Sequence, residues 1–103
     1  MKRYQKYSKY WYPHLITLIR LYPDKLGDTP KGEEAEKAIS EALVETMMME
    51  NGKDRVKAIN SIYFEDRKTT GGVAYDQYVS KRTVERWVHD FVYLVAKKMN
   101  YIN

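Results

Sequence analysis

Residues 71–103, GGVAYDQYVSKRTVERWVHDFVYLVAKKMNYIN, decide how this chain folds. Val84, Trp87, Val88, Phe91, Val92, Val95 and Met99 recur there at three- and four-residue steps, which puts them on one stripe of a helix. Ser80 stands just before that stripe, where a hydroxyl can accept a hydrogen bond from a free N–H of the first turn. The pattern predicts one long helix from about residue 81 to about 99. Residues 73–78 predict a short helix ahead of it, and Val79 and Ser80 a tight turn between the two.

Three more helices follow from working toward the N-terminus. Residues 53–64 predict a third helix, with Val56, Ile59, Ile62 and Tyr63 as its buried face. Asn51-Gly52 separates it from the clearest amphipathic stretch, residues 31–50. There Ala35, Ala38, Ile39, Ala42, Leu43, Thr46 and Met47 form one face and glutamates fill the other. Glu33, Glu34 and Glu36 fall in its first turns, where they suit the positive end of the helix dipole. Residues 13–22, PHLITLIRLY, predict a short, well-buried helix that starts on Pro13, since proline is tolerated at the first helical position. Almost nothing alternates with period two. The expectation is an all-α, single compact domain of about five helices, ending in a helix-turn-helix and a long last helix. Residues 1–30 form a Tyr/Lys-rich arm and short helix. Residues 31–103 form the helical domain, with the helix-turn-helix at about 55–99.

Composition narrows the function. At 103 residues and 12.3 kDa the chain is one domain in length. It contains no cysteine, which removes disulfide scaffolds, thiolate metal sites and cysteine nucleophiles. No apolar run approaches the ~20 residues that cross a bilayer, and no apolar core follows the basic start, so the reading is a cytoplasmic protein with no membrane partner. The net charge of +4 is unevenly spread. Residues 1–30 carry +4, residues 31–50 carry −4, residues 51–79 carry +1 and residues 80–103 carry +3. An anionic partner would meet the two ends first.

The arrangement of the last third suggests what that partner is. A helix ending near Phe64, a short helix, a tight turn and a long amphipathic helix are the parts of a helix-turn-helix. The last helix must then offer polar and basic residues to a DNA groove in its first turns while its other face packs on its neighbours. Lys81, Arg82, Thr83, Glu85 and Arg86 fall off the apolar stripe there. Arginine can reach guanine edges or phosphates, and lysine and threonine more often take phosphates. Basic residues at a helix start work slightly against the dipole, which hints at a partner.

The segment from Ala74 to Tyr101 resembles the C-terminal half of phage late-gene transcription regulators of the ArpU/RinA type, whose helix-turn-helix is sigma-factor region-4-like. The shared features are the SIYF of residues 61–64, Ala74 and Tyr75 in the short helix, and the V-S-x-R-T-V pattern of residues 79–84. A long periodic helix ending near Tyr101 completes them. The resemblance covers roughly residues 33–101, and the Tyr-rich start has no counterpart in it. It implies that Lys81, Arg82, Thr83 and Arg86 read DNA, that Ser80 caps the recognition helix and that Trp87 is core. It further implies sequence-specific binding to double-stranded DNA, activation of late-gene transcription and no cofactor. RNA polymerase and a second copy of the chain, as a homodimer, stay open as partners.

Two other readings keep the fold and change the role. One is a small terminase-like DNA-packaging subunit, and the other is a protein-interaction module that binds a host protein or RNA polymerase. Lys2, Arg3, Tyr4, Lys6, Tyr7 and Lys9 interleave basic and aromatic groups, which can contact nucleic acid, pack on the domain or a second subunit, or form a mobile arm. Met47, Met48 and Met49 cannot all face one core, so at least one should be exposed. His14 and His89 read as packed or surface residues rather than ligands. The glutamates of residues 31–50 are spread as solubilising charge. No nucleophile–base pair, metal set or phosphate loop stands out, and the chain is not read as an enzyme.

Overall fold

The last helix is the hub. In the computed structural model, which describes residues 3–24, 29–65 and 69–102 (side chains from Trp11 onward, Asp24 apart), α5 spans Lys81–Lys98. It packs against every other helix: α1 (Arg3–Leu21), α2 (Pro30–Met47), α3 (Gly52–Ile59) and α4 (Thr70–Gln77). The stripe read from the sequence is the reason. Val84, Trp87, Val88, Phe91, Val92 and Val95 are all buried, and Ala96 and Met99 extend the buried face to the end of the helix. The described residues contain five α-helices and no strand, in one all-α domain. The radius of gyration, 13.5 Å, is close to the ~13 Å of a compact chain this long.

Helix α2 starts as its sequence dictates. Thr29 is extended and its hydroxyl accepts the Gly32 N–H at 3.0 Å, with Pro30 in the first turn. Ala35, Ala38, Ile39, Ala42 and Thr46 are its buried face, and the small alanines let α5 and α3 come close. Leu43 is only half-buried, and Met47 is exposed rather than part of the core. The reason is the chain reversal just beyond: Asn51 adopts a left-handed backbone (φ 59°) and α3 turns back over α2. Gly52 makes that possible, since a Cβ there would run into the Met47 backbone carbonyl.

The helix expected over residues 53–64 is present, but its second half is wider. Residues 60–64 form a π turn closed by the Glu65 N–H on the Asn60 carbonyl at 2.8 Å. The extra residue in the turn brings Ile62 and Tyr63 inward together, while Val56 is only half-buried.

Helix α1 corrects the expected start at Pro13. It runs from Arg3 through Pro13 to Leu21. Proline removes one backbone hydrogen bond, to the carbonyl four residues back, at a cost of roughly 3 kcal/mol inside a helix. Packing on both sides offsets it. Leu15 and Ile19 are fully buried, and Trp11 and Tyr12 lie against the core. The Trp11 ring meets Tyr93 of α5 edge-on at 5.4 Å and stacks on Tyr101 at 6.1 Å. Leu21, expected to be buried, is 48% exposed, because α1 ends there and the next turn carries Tyr22 over α2 instead. The Tyr22 hydroxyl meets the Ser40 hydroxyl at 2.9 Å.

Candidate nucleic-acid interface

The turn between α4 and α5 is built by backbone hydrogen bonds. Helix α4 is capped at its start by Thr69, whose hydroxyl accepts the Gly72 N–H at 3.1 Å. At its end the Val79 N–H reaches the Ala74 carbonyl at 3.1 Å and the Tyr78 N–H reaches that of Tyr75 at 3.4 Å. That pair of bonds is a Schellman motif. It needs a left-handed residue, which here is Tyr78 (φ 57°), and it folds Val79 back against the core. Ser80 then returns to extended backbone and starts α5. Its Oγ accepts the Thr83 N–H at 3.0 Å and lies 2.8 Å from the Thr83 hydroxyl.

This turn sets which face of α5 is wet. With Val84, Trp87 and Val88 turned inward, Lys81, Arg82, Glu85, Arg86 and His89 all lie exposed on the outer face. Ser80, Arg82, Thr83, Glu85, Arg86 and His89 line one open concavity there, of about 480 Å³. Lys81 and Glu85 approach to 3.9 Å, both well exposed, so that pair holds little. Among the described residues no hydrogen bond or ion pair engages Arg82 or Arg86. The first turn of α5 contains no acidic residue to offset them.

The structure therefore brings Ser80, Lys81, Arg82, Thr83 and Arg86 together on one surface. Two of these side chains are committed to each other: the Ser80 and Thr83 hydroxyls form the cap, and Thr83 is half-buried. Arg82 and Arg86 are exposed and, among the described residues, unengaged. Lys2 lies outside the described residues, as do the side chains of Arg3, Tyr4, Lys6, Tyr7 and Lys9.

No family model, curated protein or solved structure matches this chain.

Three features of that geometry go beyond the residues singled out from the sequence as DNA readers. Arg55 of α3 ties the unit together: its Nε donates to the Glu50 carbonyl at 2.9 Å, its guanidinium pairs with Asp90 of α5 at 3.3 Å and lies over the Trp87 ring at 6.0 Å. The signal is weak, a lone arginine 35 residues from its partner. His89 joins the concavity because it follows Glu85 by one turn. Tyr75 and Tyr78 are 85% and 95% exposed on α4 and its end. Their three-residue spacing is visible in the chain, but the left-handed backbone that turns Tyr78 outward is not.

A second surface lies at the far end of α5. Val44, Met47, Met48 and Met49 are all exposed, so all three methionines stand outside the core. Beside them Ser40, Glu41, Val44, Glu45 and Lys98 line a hollow of about 380 Å³, where Lys98 pairs with Glu45 at 3.0 Å and Glu41 at 3.7 Å. Among the described residues no three His, Asp or Glu side chains gather as a metal set, and no helix is long and apolar enough to cross a membrane.

Proposed function

We propose that the chain binds double-stranded DNA in a sequence-specific way through α3, α4 and α5, and regulates transcription as phage late-gene activators do. The observation that carries this reading is the outer face of α5. Arg82 and Arg86 stand unpaired among the described residues in its first two turns, on a helix whose start is fixed by the Ser80 cap. A helix held in this way can enter a major groove by its N-terminal end. Arg82 and Arg86 then reach guanine edges or phosphates, Lys81 takes a phosphate, and the helix dipole favours the backbone charge. The arginines bear directly on the anion, and the reading assigns no catalytic step.

The exposed Val44, Met47 and Met48 favour a compatible second contact, with a protein such as RNA polymerase or another copy of the chain. Helix α5 is 18 residues long, so its two ends lie about 27 Å apart. DNA at one end leaves the other accessible.

Selection of duplexes from a random pool tests the proposal. The full-length protein should enrich a short motif under heparin competition, and R82A/R86A should enrich none. A wild-type protein that enriches no motif would overturn sequence-specific binding.

A further inference from the structure

Two large aromatic side chains stand in water beside the basic face of α5. Tyr75 and Tyr78 are 85% and 95% exposed. Tyr75 lies in the last turns of α4, and Tyr78 is the left-handed residue that ends it. Tyr78 is separated from Lys81 only by the Val79–Ser80 turn, which limits their Cα atoms to about 11 Å apart. The tyrosines therefore stand at the end of α4 from which the chain turns into the basic start of α5, the helix on which α4 packs.

Tyr78 is also an unfavourable choice for its backbone. Its φ of 57° is the left-handed region that the Schellman motif demands and that glycine fills without strain. A tyrosine ring there gains little packing to offset the strain, being almost wholly exposed. A strained residue that presents a hydroxyl outward calls for an account other than stability.

Charge favours one occupant. The start of α5 that follows the turn carries Lys81, Arg82 and Arg86. Glu85 lies against Lys81 at 3.9 Å, and Asp76 already has an interaction of its own. A tyrosine hydroxyl at the turn before a basic helix start is a neutral donor close to cations, which suits an anion with several acceptor oxygens. Phosphates of a nucleic-acid backbone supply them, and tyrosine is among the side chains that donate to them.

We propose that Tyr75 and Tyr78 donate their hydroxyls to DNA backbone phosphates flanking the groove that α5 enters, and so fix the angle at which Arg82 and Arg86 approach the bases. This rests on the DNA-binding reading above. The tyrosines are positioning residues, and their contribution is independent of sequence.

The test uses the full-length protein, the duplex recovered by selection and a random duplex of equal length. Y75F/Y78F keeps both rings and loses both hydroxyls. It should bind both duplexes roughly five- to tenfold more weakly. Its slope of log affinity against log salt should match the wild type, because a neutral donor releases no counterion, whereas R82A should flatten that slope. Y78G should raise the melting temperature by relieving the left-handed backbone, and should weaken binding too. Equal binding of both duplexes by Y75F/Y78F and the wild type would overturn the inference and leave the DNA reading standing. So would a loss of self-association in Y75F/Y78F with unchanged DNA affinity, which would give the pair to a protein contact. A wild-type protein that binds neither duplex would overturn both.

Discussion

Tyr63 shows how one residue's surroundings set a measurable property. Its ring is buried at the π turn after α3, and Arg20 of α1 lies over it at 5.3 Å. Burial raises the hydroxyl pKa well above the ordinary 10.0, the neighbouring Tyr12 raises it further, and Arg20 only partly opposes them. Tyr12 is itself raised, by burial first and then by Tyr93. The sign of the pH effect follows. Below about pH 10 folded and unfolded chains both keep the proton, and stability does not depend on these groups. Above it the unfolded chain loses protons first and is favoured. Melting temperature should hold steady up to about pH 10 and fall beyond it, and Y63F should fall less steeply. Identical alkaline profiles for the two proteins would show that Tyr63 is not held neutral by burial. At this scale the sequence is legible where side-chain chemistry is local, as with the Ser80 cap and the buried Trp87. It is not legible where backbone conformation matters, as with Tyr78, because a left-handed tyrosine has no signature of its own.

The elements are readable where hydrophobic periodicity is strong. The apolar stripe predicts α5 over about 81–99 and the helix spans Lys81–Lys98, because one apolar face along five turns leaves no competing register. Pro13 misleads for the opposite reason. A proline rule is local, whereas the burial of Leu15, Ile19, Trp11 and Tyr12 that carries α1 past it is tertiary. The π turn at residues 60–64 is likewise invisible in the sequence, since one inserted residue shifts the apolar phase without breaking it. The first turn of α5 carries the element-scale prediction. Ser80→Ala removes the bond to the Thr83 N–H and should cost about 1 kcal/mol. The melting temperature should drop by several degrees, read by circular dichroism. Duplex binding should weaken beyond the loss of folded protein, because α5 frays where Arg82 is displayed. A Ser80→Asp variant can still cap but adds negative charge facing the phosphates. It should keep the melting temperature and lose binding.

For the whole molecule, the fold separates two faces by the length of one helix. The start of α5 presents exposed basic side chains, and at its other end Lys98 pairs with Glu41 and Glu45 of α2 beside the exposed Val44. The uneven charge seen in the sequence takes a partial shape from this. The acidic stretch is largely the outer face of α2, and the basic last third includes the exposed start of α5. Trp11, Tyr12, Tyr93 and Tyr101 pack together where α1 meets α5 and the C-terminus. A helix-turn-helix layout is visible in residues 55–99 of the sequence, whereas the commitment of the Ser80 and Thr83 hydroxyls to each other emerges only in the folded turn. Engagement of DNA by Arg82 and Arg86 is the claim on which the functional reading depends. The most direct measurement is duplex affinity across a salt series for the wild type and R82A/R86A, with folding checked by circular dichroism. Phosphate or base contacts by these arginines predict weaker binding and a salt slope shallower by about one to two units for the variant. A folded variant that keeps both the affinity and the slope of the wild type would contradict them.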